Sequence, residues 1–477
     1  MKSLSSLLLA CVAWAILSNA VLANEPRLPN VLLILADDLG WADLGCYGAD
    51  LHETPHLDRF ATDACRFTDA YAMSVCSPSR ASLMTGKHAA RLHFTIWAEG
   101  AEQGGPKNRK LLQADSIWNL PHTETTLATH LQQAGYRTAM IGKWHIGDWR
   151  HAAETHGFDI NIGGTNWGAP QTFWWPYRGR GRFGDEFRYV PGLGLGTSGE
   201  YLTDRLTEEA IKTIDAAGDQ PWFVYLSHHS VHTPIEAHQA DVDHFDAKIR
   251  PSMHHQHGVY AAMVKNLDDN VGRVLEHLET RGLQDNTIVV FTSDNGGYVG
   301  SDTKSGRAMP VTNNAPLRSG KGSLYEGGIR VPLLIRWPGV TGQGSTCSEP
   351  VVLTDLFATL LAAARHTPTG PSTDSHDLRP LLDNPTASLD RDALTFHYPH
   401  YYATTTPVSA IRAGKWKLFE YFEDSHLELY DLTSDLAEER NLAESHADVA
   451  KRLHEQLRQW RNDVDAHLPR PNGDFHP

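Results

Sequence analysis

Residues 31–38 read Val31-Leu32-Leu33-Ile34-Leu35-Ala36-Asp37-Asp38, six apolar residues followed by two carboxylates. An unbroken apolar run of this length has no polar face to turn to water and predicts a strand covered on both sides, as in a parallel sheet. The rhythm continues outward from it. Residues 57–65 read as a helix, and 125–134 as a second helix ended by Gly135, with a strand at 137–141 behind it. Residues 222–226 form another short apolar run. A long helical period covers 259–281 and stops at Gly282, and further strands follow at 288–291 and 333–335. Strands alternating with helices predict an α/β domain with a large, mostly parallel sheet sandwiched by helices.

Residues 366–376 (HTPTGPSTDSH) have the composition of a linker. Beyond them the rhythm changes to consecutive strands at 394–397, 408–412, 416–422 and 427–430, followed by an amphipathic helix at 447–460. This predicts a smaller C-terminal antiparallel sheet with one helix against it. The expected organisation is a signal peptide at 1–23, a catalytic domain at 24–380 and an α+β subdomain at 381–477. The first segment carries Lys2, then an apolar run at 7–17, then small residues for cleavage at 21–23, which is the pattern of a secretory leader. Export to the periplasm or the exterior follows, and no other stretch is apolar for long enough to span a bilayer.

The 477 residues carry 42 Lys+Arg against 57 Asp+Glu, a formal net charge of −15. An acidic chain argues against nucleic acid as a partner, and 41% hydrophobic residues exclude disorder. The 27 His and 13 Trp point toward metal, anion or sugar chemistry. With Cys11 in the leader, Cys46, Cys65, Cys76 and Cys347 remain, too few for a disulfide framework. Cys46 and Cys65 are either a bridge or buried free thiols.

Chemistry gathers at the predicted strand ends. Asp37-Asp38 follows the strand 31–36, and Asp294-Asn295 follows 288–291. Ligands of open α/β sheets bind outside the carboxyl ends of strands. Two such pairs meeting there would make an oxygen-only site for Ca²⁺ or Mg²⁺ rather than zinc; singly, each pair is an ordinary turn or cap. Residues 76–86 read Cys76-Ser77-Pro78-Ser79-Arg80-Ala81-Ser82-Leu83-Met84-Thr85-Gly86. Pro78 fits the first turn of a helix, so Cys76 lies at its N-terminus, where an anion is favoured, and Arg80 returns to the same face one turn on. A thiol there is either a low-pKa nucleophile or a buried cysteine.

This segment closely resembles the signature of the formylglycine-dependent, arylsulfatase-like sulfatases of the alkaline phosphatase superfamily. The resemblance extends in order through Asp37-Asp38, Gly142-Lys143-Trp144-His145, His232-Thr233-Pro234, Asp294-Asn295-Gly296, and Gly320-Lys321-Gly322 with residues 326–332. It implies a sulfuric ester hydrolase with the alkaline phosphatase/sulfatase fold, and Cys76 oxidised to formylglycine by a maturation enzyme. The metal ligands it implies are Asp37, Asp38, Asp294, Asn295 and the modified Cys76, with Ca²⁺ expected and Mg²⁺ the alternative. An aldehyde hydrate offers two oxygens on one carbon. One attacks sulfur, and the other loses its proton so that the sulfated enzyme collapses back to the aldehyde. Lys143, Lys321 and Arg80 are implied to stabilise developing charge. His232 is implied to serve the leaving oxygen or sulfate, and His145 to act as the base that breaks the diol down.

The substrate rim is expected in three places: Trp174, Trp175 and Arg178 in the long Gly-rich loop 163–196; His397 and His400 where the C-terminal sheet begins; and Asn314 and Arg318 ahead of Lys321. Loop aromatics read either as sugar-stacking platforms or as local packing. The expected substrate is a sulfated carbohydrate, galactose-type and attacked from its end. The alternatives are a phosphodiester or phosphonate monoester, or aryl sulfates in general.

Overall fold

The computed structural model describes residues 27–182, 184–302, 307–367 and 373–476. The leader at 1–23 lies outside the described residues, as does the middle of the linker. Among the described residues, eight strands follow one another across a sheet. Their order is Val351–Val352, Cys65–Tyr71, Arg330–Arg336, Thr287–Ser293, Asn30–Ala36, Trp222–Ser227, Arg137–Gly142 and Ile160–Ile162. A ninth, Thr346–Cys347, pairs with Cys65–Tyr71. Only Arg330–Arg336 runs against its neighbours, so the sheet is mixed but mostly parallel.

Every residue of Asn30–Ala36 is buried. Successive strand side chains alternate between faces, so Val31, Leu33 and Leu35 enter one core layer and Leu32, Ile34 and Ala36 the other. Helices Cys76–Thr85, Leu127–Gln133 and Asp355–Ala363 close the first layer. Pro55–Asp63, Leu202–Ala216 and Gly258–Thr280 close the second. The helix expected at 57–65 ends at Asp63, and Cys65 instead opens a strand. Cys46 and Cys65 are both free. They belong to opposite core layers, which rules out the bridge.

The second sheet is an antiparallel meander of Leu394–Tyr398, Val408–Ala413, Trp416–Tyr421 and Leu427–Asp431. Ile411, Leu418 and Leu429 on one face pack against Leu453 and Leu457 of helix Ala447–Asp463. Phe396, Ala410 and Phe419 on the other face pack against Tyr71, Val75 and Leu324 of the larger unit. Within that second contact Lys417 is fully buried. Its Nζ lies 2.7 Å from Glu326 Oε1 and 3.0 Å from Glu438 Oε1. Removing one member of a buried ion cluster leaves its partners desolvated and uncompensated. Lys417→Met is therefore expected to cost about 3–5 kcal/mol in chemical denaturation. A loss below about 1 kcal/mol would show that water reaches the cluster. Among the described residues no helix is long and apolar enough to cross a membrane.

Candidate active site

Asn30–Ala36 and Thr287–Ser293 are neighbours in register, with Ala36 opposite Ser293. Asp37-Asp38 and Asp294-Asn295 therefore leave the same edge side by side. Lys143 follows Arg137–Gly142, and His232 lies on the segment after Trp222–Ser227, so the carboxyl edge of four strands supplies the site. Helix Cys76–Thr85 is inserted against this edge, buried along its whole length and ended by Gly86 at φ 68°. It places Cys76 at its first position, with Arg80 one turn behind.

The charges interlock in pairs. Arg80 Nε donates to Asp294 Oδ2 at 2.8 Å, and Nη1 to the Lys143 carbonyl at 2.9 Å. Lys143 Nζ donates to Asp37 Oδ2 at 2.7 Å. Lys321 Nζ lies 2.7 Å from Asp38 Oδ1 and 3.4 Å from Cys76 Sγ. Cys76 Sγ is 3.5 Å from Asp37 Oδ1 and 3.9 Å from Asp38 Oδ1. His232 Nε2 is 3.5 Å from Asp38 Oδ2. Asp38 and His145 hold left-handed backbone at φ 62° and 59°, a conformation non-glycine residues adopt when their surroundings impose it.

A divalent cation fits these residues. Ligand atoms of Asp37, Asp38, Cys76 and His232 all lie within 4.8 Å of one another. Asn295 donates through Nδ2 to Asp38 Oδ1 at 2.8 Å, while its buried Oδ1 has no hydrogen-bond partner. A donor set of carboxylates and an amide oxygen suits a hard cation. Burial pushes the Asp37 carboxyl up to about 7, with Lys143 opposing and Asp294 and Asp38 adding to the rise. Burial acts the same way on Asp38, but Lys321, His232 and Lys143 outweigh it and hold this carboxyl well below the usual range.

Burial also pushes the Cys76 thiol up, against the opposing charges of Lys143 and Lys321. At this thiol burial outweighs the two lysines, in keeping with the buried-cysteine alternative. Burial lowers His145 to about 4 and His232 to about 3, so both imidazoles are neutral at neutral pH and free to accept a proton.

A cavity of about 560 Å³ opens onto Cys76, His145, His232 and Lys321. Residues 29–366 match the family model described as Sulfatase. The chain belongs to the formylglycine-dependent, arylsulfatase-like sulfatases. Residues 320–463 of this sulfatase also match the model described as N-sulphoglucosamine sulphohydrolase, C-terminal. The chain is 33% identical to the steryl-sulfatase of Mus musculus, over 87% of this chain and 75% of the relative. It is 32% identical to the N-acetylgalactosamine-6-sulfatase of Homo sapiens, over 82% and 75%. Among solved structures it resembles Ps i-CgsB in complex with k-i-k-neocarrahexaose, with TM-score 0.75, 28% identity, and 94% and 95% of the two chains covered.

The structure brings together Asp37, Asp38, Cys76, Arg80, Lys143, His232, Asp294, Asn295 and Lys321, with His145 on the cavity wall. It places the seven rim residues elsewhere, and none of them lines the cavity of the sulfatase. Trp174 packs edge-on against Tyr201 and His238, and Trp175 against Tyr177. Arg178 is exposed. Asn314 donates to the carbonyls of Gly297 and Ser319. Arg318 donates to Tyr430 Oη and the Glu438 carbonyl. His397 is tied to Ser409 and the His467 carbonyl, and His400 to Thr95. The mouth is made instead by Trp97, Glu99, Gln103, Arg188 and Tyr402. Tyr402 lies two residues beyond His400 and Arg188 lies in the loop 163–196, both in regions expected to form the rim, whereas Trp97, Glu99 and Gln103 belong to no motif.

Proposed function

We propose that this sulfatase is exported and hydrolyses a sulfate ester at the end of a carbohydrate, with a galactose-type sugar as the preferred substrate. The observation that carries this reading is the cavity itself. Lys321 stands beside Cys76 on its floor, and its walls join the rings of Trp97 and Tyr402 to polar groups on Glu102, Gln103 and Arg188. Aromatic faces suit the apolar side of a sugar ring, and a few placed polar groups suit its hydroxyls. The likeness to an N-acetylgalactosamine-6-sulfatase and to Ps i-CgsB in complex with k-i-k-neocarrahexaose supports the same class.

Asp37, Asp38, Asp294, Asn295 and residue 76 would hold Ca²⁺, or alternatively Mg²⁺, which would supply Lewis-acid polarisation of a sulfate oxygen. Oxidised by a maturation enzyme, residue 76 would supply two hydroxyls on one carbon. Arg80 holds its side chain between Asp294 and the Lys143 carbonyl, so the nucleophile is backed by a fixed positive charge. Lys143 and Lys321 flank it and face the oxygens on which charge grows. His232 would serve as the hydrogen-bond partner of the leaving oxygen or sulfate, and His145 would take the proton whose loss releases sulfate. In the inner cluster around residue 76, Asp37, Asp38 and Asp294 are matched by Arg80, Lys143 and Lys321, so a divalent ion bound there would leave that cluster net positive.

A panel of defined monosulfated saccharides, an aryl sulfate and an aryl phosphodiester tests the reading. The expected result is a higher kcat/KM for at least one saccharide than for the aryl sulfate, and none above background for the phosphodiester. Trp97→Ala and Tyr402→Ala are each expected to lower saccharide kcat/KM about tenfold, the worth of one aromatic contact, and to spare the aryl sulfate. Efficient aryl sulfate cleavage with no saccharide turned over would overturn the carbohydrate assignment, and preferred phosphodiester cleavage would overturn the choice of ester.

A further inference from the structure

Glu99 belongs to none of the sequence motifs, yet it makes a close polar contact with His145. It sits on the short helix Ala98–Gln103, and its Oε2 lies 2.6 Å from His145 Nε2. The other oxygen, Oε1, accepts the Gly168 N–H at 2.8 Å and faces Arg188 Nη2 at 3.4 Å. Arg188 is anchored independently by Glu186 Oε2 at 2.8 Å and the Ala169 carbonyl at 3.2 Å. Ser77, next to the nucleophile, ties the two partners together: its Oγ donates to the His145 carbonyl at 2.8 Å and accepts the Ala98 N–H at 3.1 Å.

The imidazole is also clamped from the side. A Cβ on Gly168 would stand 2.4 Å from His145 Cε1, so only glycine lets this backbone close over the ring while its N–H fixes Glu99. The remaining ring nitrogen, Nδ1, is buried and has no hydrogen-bond partner. An imidazole that donates Nε2–H to a carboxylate carries its lone pair on Nδ1.

We propose that Glu99 is the positioning residue for His145, holding the ring in the tautomer whose Nδ1 takes the proton during sulfate release. The proposal rests on the reading of His145 as that base. The charged groups that bear on His145 are Glu99, which favours its protonated form, and Lys143 and Arg80, which oppose it. Glu99→Gln keeps the shape but removes the charge and allows an amide N–H to face Nε2, which favours the wrong tautomer.

The test is steady-state kinetics on one sulfate ester with the mature, metal-loaded enzyme, comparing Glu99→Gln, Glu99→Asp and His145→Ala. Glu99→Gln is expected to lower kcat roughly 100-fold, within the range that a general base supplies, with KM changed less than about threefold. The acid limb of its kcat profile is expected to move to lower pH, because Lys143 and Arg80 then oppose protonation without the carboxylate. Glu99→Asp is expected to recover part of kcat. Wild-type kcat in Glu99→Gln beside an inactive His145→Ala would overturn the positioning role alone. Wild-type kcat in His145→Ala would overturn the base reading and the proposal with it. Should Glu99→Gln not fold, a smaller but clear kcat loss at constant KM is required of Glu99→Asp, and wild-type kcat in that variant overturns the proposal.

Discussion

Cys76→Ala is expected to take sulfate ester turnover down by at least about 10⁶-fold, because it removes the group proposed to attack sulfur. The residue is fully enclosed at the start of a helix, with Asp37, Asp38 and Lys321 against its sulfur. A side chain this small costs little when truncated, so unfolding free energy should change by no more than about 1 kcal/mol. Activity and stability are thus expected to separate cleanly. Burial pushes the Cys76 thiol up, away from the thiolate that would attack, and turnover is expected to follow conversion to the aldehyde. Mass analysis of tryptic peptide 67–80 should show sulfur replaced by carbonyl oxygen in active preparations. Full activity in protein whose Cys76 is an unmodified thiol would refute this chemistry.

Loss of the metal is the second large effect. Asp294→Asn is expected to abolish binding of a divalent cation and to lower turnover by at least about 10³-fold, the order of a missing electrostatic stabiliser. Asp294 binds Arg80 through Oδ2 and accepts the Asp38 N–H on Oδ1 at 3.3 Å. The asparagine keeps that shape while removing one of three charges. Asp294→Ala would instead strand a buried guanidinium and confuse metal loss with a stability loss of about 3–5 kcal/mol. Elemental analysis after dialysis should find one calcium or magnesium per wild-type chain and none in the variant. Zinc in the wild type, or metal retained at full stoichiometry in the variant, would contradict the ligand assignment.

The sheet and the floor of the site were legible in the sequence because both are local. A strand buried on both faces must be apolar throughout, and the carboxylates that follow Ala36 and Ser293 mark its carboxyl end without reference to distant chain. The strand Cys65–Tyr71 was not legible. Its residues CRFTDAY mix polar and apolar positions around a register shift between Phe67 and Ala70. Its polar Asp69 is spent on Arg330 and Arg412. The mouth was equally hidden, for a different reason. Trp97, Arg188 and Tyr402 meet only after three separated segments have packed, and no spacing records that meeting. The tryptophans of the long loop take the local-packing alternative, because a large apolar ring gains more from the neighbouring core than from water. Trp174 and Trp175 therefore turn inward, and the loop presents smaller and charged residues to the cavity.

The contact between the two sheets bears on how this enzyme could be re-engineered. Lys321 is held through its carbonyl by Thr404 Oγ1 at 2.8 Å, Arg318 just before it is fastened to Tyr430 and Glu438, and Glu326 just after it leans on Lys417. The cavity's Tyr402 comes from the same segment as Thr404. Swapping the region after residue 380 for that of another sulfatase would thus exchange the supports of Lys321 along with the cavity's Tyr402. A chimera that failed to bring its own counterparts of Lys417, Glu438 and Thr404 would inherit a misplaced lysine, so new specificities are better sought by editing the mouth in place.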